Sequence, residues 1–147
     1  MPTAEPDPSA GDLTTLAVGL RQATMRLARE IRGRGTASLA PHQFSVLAHL
    51  ERAPRTAREL ADAERVSPPA MHRTVSALVD RGYVDRTADP DDGRCVILGL
   101  TSDGRSALAT ARTERSAWLH TKLERLSPQE RELLAAATTV LAKVAAE

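Results

Sequence analysis

The chain has 147 residues, of which 27% are charged and 2% aromatic, and its 20 Lys and Arg against 19 Asp and Glu give a net charge of +1. This length predicts one compact domain, or one domain with an attached dimerisation module. No stretch approaches the roughly 20 consecutive apolar residues of a membrane span. The single cysteine excludes an internal disulfide and a cysteine-based zinc site, so no metal or other cofactor is expected.

The N-terminal segment and the first helix differ sharply in composition. Residues 1–11 combine three prolines with small and acidic side chains, which predicts a disordered arm. This arm lacks the basic start and apolar run of a signal peptide, so a cytoplasmic location is expected. From residue 12 to 33, apolar side chains recur every three or four positions and predict a long amphipathic helix. Ala40-Pro41 then begins a second helix.

Two capping patterns follow at close spacing. Thr56 begins a capping box that predicts a short helix over 57–64. Ser67 before Pro68 combines an N-cap with proline at the first helical position, and it predicts a second helix over 68–81. Only Arg65 and Val66 remain between the helix over 57–64 and the Ser67 cap of the helix over 68–81, so the chain must turn sharply there.

A hairpin and two further helices complete the chain. Apolar residues alternate at Val84 and over 96–100, which predicts two antiparallel strands joined by the turn-forming, acidic segment 88–93. N-caps at 101–103 and at Ser127 begin two long helices.

This order predicts a mainly α protein with a small β-hairpin wing, namely a winged helix-turn-helix flanked by dimerisation helices. We assign 39–103 to the winged helix-turn-helix and 12–38 and 104–147 to the dimerisation helices. The first helix and the last two carry apolar faces that so small a core cannot cover, whereas a self-complementary interface would bury them.

Helical spacing in 68–81 predicts which side chains face DNA. Burying Met71, Val75 and Leu78 leaves the intervening polar side chains on the outer face. Helix N-termini at Thr56 and Ser67 favour phosphate. The predicted DNA contacts are Thr56, Ser67, Pro68, Pro69, His72, Arg73, Ser76, Arg86 and Arg94.

The hairpin tip is a second predicted contact. Arg94 is suited to a narrow, negative minor groove, and Asp92 with its acidic neighbours is expected to hold Arg94 and Arg86 in place. Region 52–94 contains eight arginines and eight acidic residues, so the DNA hypothesis depends on geometry and not on net charge. A winged-helix module that binds other proteins is the alternative, because the fold alone does not dictate function.

Six segments in order resemble the multiple antibiotic resistance regulator (MarR) family. They are 39–47 (LAPHQFSVL), 60–61 (LA), 66–78 (VSPPAMHRTVSAL), 81–84 (RGYV), 89–94 (DPDDGR) and 100–104 (LTSDG). The resemblance covers residues 13 to 146, and its most specific element is the Asp-x-Arg of the wing followed by Leu-Thr-x-x-Gly.

The resemblance implies a homodimeric transcriptional regulator on a palindromic operator, commonly a repressor relieved by a small, often anionic aromatic ligand. It places the recognition helix at 67–81, with Arg73 at the family's usual arginine position and Arg94 as the wing arginine. Pro68-Pro69 and His72 depart from the small polar residues that are commoner there.

The resemblance also indicates where a small-molecule effector would bind. Family ligands tend to bind between the dimerisation helices and the winged module, which suggests Arg26, His42, Phe44 and Trp118 as neighbours, although ordinary packing or solvation is the alternative for each.

Cys95 beside the wing tip has no resolving thiol and is expected to have no redox role. His42 and His49 alone fall short of a zinc site. No catalytic motif is present, so we do not expect an enzyme.

Overall fold

The computed structural model describes residues 8–34 and 39–146, with side chains from residue 12 onward. Its helices are α1 Pro8–Gly33, α2 Pro41–Arg52, α3 Ala57–Glu64, α4 Pro68–Asp80, α5 Ser102–Leu123 and α6 Pro128–Ala146, and its strands are β1 Arg55–Thr56, β2 Val84–Ala88 and β3 Val96–Leu100. The predicted fold class, mainly α with a hairpin wing, is confirmed.

The N-terminal helix begins earlier than predicted. Helical backbone extends from Pro8, four residues before the expected start, so the disordered arm predicted for 1–11 is wrong over its last four residues. Proline is compatible with a first helical turn because its missing N–H has no intrahelical partner there. Residues 1–7 of the predicted arm lie outside the described residues.

The winged helix-turn-helix surrounds one apolar core. Helices α2 to α5 and strands β2 and β3 all contribute side chains to it. Its buried members are Leu39, Val46, Leu47, Leu50, Leu60, Ala61, Met71, Val75, Leu78, Val84, Leu98, Leu108 and Ala111.

The wing is part of a three-stranded antiparallel sheet of order β1-β3-β2. The two predicted antiparallel strands are confirmed, and in their register Val84 lies opposite Leu100 and Ala88 opposite Val96. The third strand, β1, was not predicted, because two residues are too few to show a period. It pairs Arg55 with Leu98 and joins the start of α3 to the wing.

A Schellman motif forms the turn between α3 and α4. Arg65 adopts the left-handed conformation, with φ of 53°. Its N–H donates to the carbonyl of Asp62 at 3.3 Å, and the N–H of Val66 donates to the carbonyl of Ala61 at 3.1 Å. These backbone bonds end α3 and set the direction in which α4 begins.

The entry to α5 explains the Leu-Thr-x-x-Gly pattern. Thr101 caps the helix by accepting from the N–H of Gly104 at 3.0 Å, and its hydroxyl donates to the carbonyl of Gly82 at 2.7 Å. Gly104 is buried, and a Cβ there would overlap the carbonyl oxygen of Tyr83. Only glycine therefore allows α5 to pack so closely on the segment before β2.

Helices α1 and α6 lie largely outside this core. No described residue of α6 is buried, and large apolar side chains on both helices face solvent. They include Leu13, Leu16, Met25 and Leu27 of α1 and Leu133, Leu134, Val140 and Val144 of α6. None of the helices in the described part of the chain has the length and apolarity to span a bilayer.

Candidate nucleic-acid interface

Helix α4 presents one apolar and one polar face. Met71, Val75 and Leu78 are buried against the core, whereas His72, Arg73 and Ser76 are exposed. The helical wheel predicted this division. An exposed α4 face next to a hairpin is the arrangement by which a winged helix-turn-helix can enter a major groove. That these three side chains contact DNA stays a prediction.

The N-terminus of α4 offers fewer backbone donors than the capping pattern suggested. Pro68 and Pro69 are exposed but have no N–H, and the N–H of Ala70 donates to Ser67 Oγ at 3.4 Å. The hydroxyl hydrogen of Ser67 has no acceptor among the described residues. At this helix end, a phosphate would therefore bind the Ser67 hydroxyl and not a row of free amides.

The N-terminus of α3 already holds a carboxylate. Glu59 Oε2 accepts from the backbone N–H of Thr56 at 2.7 Å and from its hydroxyl at 3.0 Å. These bonds lower the pKa of Glu59. Thr56 Oγ1 in turn accepts from the N–H of Glu59 at 3.2 Å. The capping box thus uses the only hydroxyl hydrogen of Thr56 and places negative charge where a phosphate was predicted.

The wing aspartates bind backbone groups of the hairpin turn. Asp92 Oδ1 accepts from the N–H of Arg94 at 3.1 Å, and Asp89 Oδ1 accepts from the N–H of Asp91 at 2.9 Å. No ion pair in residues 39–146 includes Arg86 or Arg94. Asp92 therefore supports the wing at the backbone of Arg94, as predicted, whereas no wing carboxylate among the described residues pairs with the guanidinium group of Arg86 or of the exposed Arg94.

Arg86 connects the wing to the recognition helix. Its Nη2 donates to Ser76 Oγ at 3.3 Å, across from β2 to α4. Arg86 and Ser76, both predicted as DNA contacts, are therefore hydrogen-bonded to each other. Ser76 is thus oriented by Arg86, a pairing that no sequence spacing indicates.

Cys95 lies beside an aspartate. Its Sγ is 3.8 Å from Asp92 Oδ2, and the negative charge of Asp92 raises the pKa of the thiol. A raised pKa reduces the thiolate fraction, and thiolate is the form that peroxides oxidise.

The residues suggested for an effector do not converge. Phe44 lies beneath Arg115 of α5, whose Cζ is 3.5 Å from the ring centroid. The ring of Trp118 has two cationic neighbours, since Arg34 Cζ and Lys122 Nζ each lie 5.7 Å from its centroid. The exposed Arg26 has no described contact with either aromatic ring, and the exposed His42 lines a separate groove between α2 and α4.

Arg115 is a residue of the junction between α2 and α5 that sequence reasoning did not select. Its Nε is buried and has no hydrogen-bond partner among the residues that the structure describes. Burial, and then the positive charge of Arg32, lower its pKa. The available signal was its position on the apolar stripe of α5, in step with Leu108 and Ala111, where a cation must be desolvated.

The histidines of α2 have separate surroundings. His49 Nε2 lies 2.8 Å from Glu64 Oε1, which also accepts from Ser45 Oγ at 2.6 Å. Within the described ranges, no cluster of three or more His, Cys, Asp or Glu side chains is arranged to hold a metal ion.

Comparisons with known proteins agree with this geometry. A profile of the MarR family matches residues 37–94. An HTH-type transcriptional regulator of Mycobacterium bovis is 38% identical over 128 residues, which cover 86% of this chain and 90% of that protein. A crystal structure of a transcriptional regulator from Pseudomonas aeruginosa is 32% identical, with a TM-score of 0.79 over 95% of this chain and 99% of that one. The apo form of wild-type MarR from E. coli is 28% identical, with a TM-score of 0.67 over 90% of this chain and 96% of that one.

Proposed function

The chain belongs to the MarR family of DNA-binding transcriptional regulators, and we propose that it is a homodimeric repressor of a palindromic operator that a small-molecule effector releases. The observation that carries this proposal is the exposed polar face of α4 beside a wing whose tip presents Arg94, an exposed arginine without an ion-pair partner among the described residues. Its relatives are named as transcriptional regulators, and it is not an enzyme.

The uncovered faces of α1 and α6 support the homodimer. Leu13 is 64% exposed, Leu16 62% and Leu133 71%. Between the two helices lies an apolar groove of about 430 Å³. A contiguous apolar surface of this kind marks a protein interface. A second copy, related by a twofold axis, would cover it and set two recognition helices on half-sites about 34 Å apart.

Arg73 and Arg94 are the proposed principal DNA contacts. Arg73 is exposed on α4, where a guanidinium can bind guanine O6 and N7 in the major groove. Arg94 lies at the wing tip, within reach of the adjacent minor groove or its phosphates. Arg86, through its bond to Ser76, positions the polar face of α4.

The junction of Phe44 and Arg115 is the proposed effector site. Arg115 pairs with no carboxylate among the described residues, and its Nε hydrogen is buried without an acceptor. An anionic aromatic ligand would provide that acceptor and pack on Phe44. Because the junction joins the winged module to α5, a ligand bound there would change the separation of the two recognition helices.

Selection from random duplexes followed by fluorescence anisotropy tests the proposal. We expect one palindromic sequence, bound by a dimer, with log affinity falling against log salt by about 0.9 for each phosphate contacted. Arg73→Ala should abolish preference for that sequence, and Arg94→Ala should weaken binding and reduce the salt slope. Arg125→Ala, in the segment between α5 and α6, is the matched control and should bind as the unmodified protein does.

The opposing outcomes are distinct. A dimer that enriches no sequence even at low salt would favour the winged-helix protein-interaction module. Specific binding that survives combined loss of Arg73 and Arg94 would refute the assigned contacts but not the regulator.

A further inference from the structure

A groove between α2 and α4 is separate from the junction of Phe44 and Arg115. It has a volume of about 380 Å³, which falls within the range of small-molecule sites. Val46 of α2, Val66 of the turn, and Met71 and Ala77 of α4 provide an apolar lining. The groove thus suits a compact ligand with an apolar body.

A carboxylate with one unused oxygen lies in this apolar lining. The Glu64 side chain is only 21% exposed. Its Oε1 accepts from Ser45 and His49, whereas its Oε2 has no hydrogen-bond partner among the described residues. The last turn of α3, where Glu64 lies, contains no basic residue, and the C-cap Arg65 that follows it is exposed to solvent. Because a helix C-terminus carries partial negative charge, this end of α3 favours a cation.

The other charged side chain of the lining is solvated. Arg73 is exposed, so water already satisfies much of its hydrogen-bonding capacity. A hydrogen bond to a carboxylate that is only 21% exposed stabilises a complex more than a hydrogen bond to an exposed guanidinium. The ligand's charged group should therefore be positive.

We propose that the groove binds a primary amine with an apolar body. The ammonium group donates to Glu64 Oε2, and the apolar body packs on Val46, Val66 and Met71. Since α4 forms one wall, an occupied groove would also change the setting of the recognition helix. That second effect rests on the proposed function, but amine binding does not and can be measured without DNA.

Three ligands of matched shape separate charge from apolar packing, namely 3-phenylpropylamine, 3-phenylpropan-1-ol and 3-phenylpropanoate. Binding is followed by methionine methyl NMR at about pH 8, where an unperturbed imidazole is neutral. Met71 lines the groove, and Met25 of α1 is an internal reference. We expect the amine to shift the Met71 signal alone and to bind about tenfold more tightly than the alcohol.

Two variants locate the contact. Glu64→Gln keeps an acceptor for Ser45 and His49 but removes the charge, so it should abolish the preference for the amine and leave alcohol binding unchanged. Ala77→Leu fills the groove and should weaken both ligands about tenfold. Three outcomes would each overturn the proposal. The Met71 signal could shift equally with all three ligands, shift most with the carboxylate, or not shift with any of them. If Glu64→Gln fails to fold, unchanged amine binding by Ala77→Leu would still refute it.

Discussion

Replacing Thr56 by alanine is expected to destabilise the fold and leave DNA affinity almost unchanged. The Thr56 hydroxyl accepts from the N–H of Glu59 at 3.2 Å and donates to the Glu59 carboxylate at 3.0 Å, so alanine removes both bonds. Loss of an N-cap side chain costs about 1 kcal/mol. For a chain of this size, that corresponds to a decrease in Tm of about 2–4 °C.

Ser67→Ala is the matched variant, because Ser67 caps the neighbouring helix differently. Its oxygen is 3.4 Å from the N–H of Ala70, which makes a weaker cap, and its hydroxyl hydrogen has no acceptor in residues 39–146. We expect a smaller loss of stability than for Thr56→Ala. If the hydroxyl donates to a phosphate in both subunits, DNA affinity should fall about tenfold.

Urea unfolding at fixed protein concentration and anisotropy at one salt concentration provide the two measurements. Similar losses of affinity for both variants, with the stability of Thr56→Ala unchanged, would refute the reasoning. The Thr56 hydroxyl would then be a DNA contact despite the Glu59 charge beside it.

Three further predictions concern stability alone. Gly104→Ala should lower the urea midpoint and cost about 1–3 kcal/mol, because the added methyl group overlaps the carbonyl oxygen of Tyr83. Arg112→Met removes two bonds to Glu51, of 3.0 and 2.7 Å, that join α5 to α2. Its effect on the urea midpoint should be small at low salt and vanish near about 1 M NaCl. Bonds from the cap of α6 lower the pKa of Glu130 below its ordinary value of 4.5. The resulting stabilisation is present above pH 4.5 and lost as the pH falls through the lowered pKa, so Glu130→Gln should reduce the acid-side decrease in urea midpoint.

Local signals account for most of the fold that could be predicted. The helices after Thr56, Ser67 and Thr101 begin where their caps indicated, because capping depends on residues only three positions apart. Strand β1 had no such signal, since it exists only by pairing with β3. The start of α1 was misplaced because prolines and small residues were interpreted as disorder, although proline is tolerated in a first helical turn.

In the candidate site, too, local features were predictable from the sequence and contacts between distant elements were not. The exposed face of α4 follows from a helical period and was predictable. The bond from Arg86 to Ser76 and the stacking of Arg115 on Phe44 join elements that are distant in sequence, so they depend on how helices and strands pack. The acidic composition of the wing did not predict its contacts either, because Asp89 and Asp92 bind backbone amides and not the guanidinium groups near them.

The left-handed Arg65 has a kinetic consequence for target search. Arg65 contributes to that turn through its backbone hydrogen bond, whereas its side chain is exposed and makes no hydrogen bond within the described residues. Glycine is the residue best suited to this conformation, and Arg65→Gly would remove one positive charge per subunit beside the recognition helix without changing the helix-turn-helix geometry. Long-range attraction between a charged surface and DNA governs association rate and its salt dependence. The residue that ends α3 can thus adjust how quickly the protein finds DNA, independently of which sequence it prefers once bound.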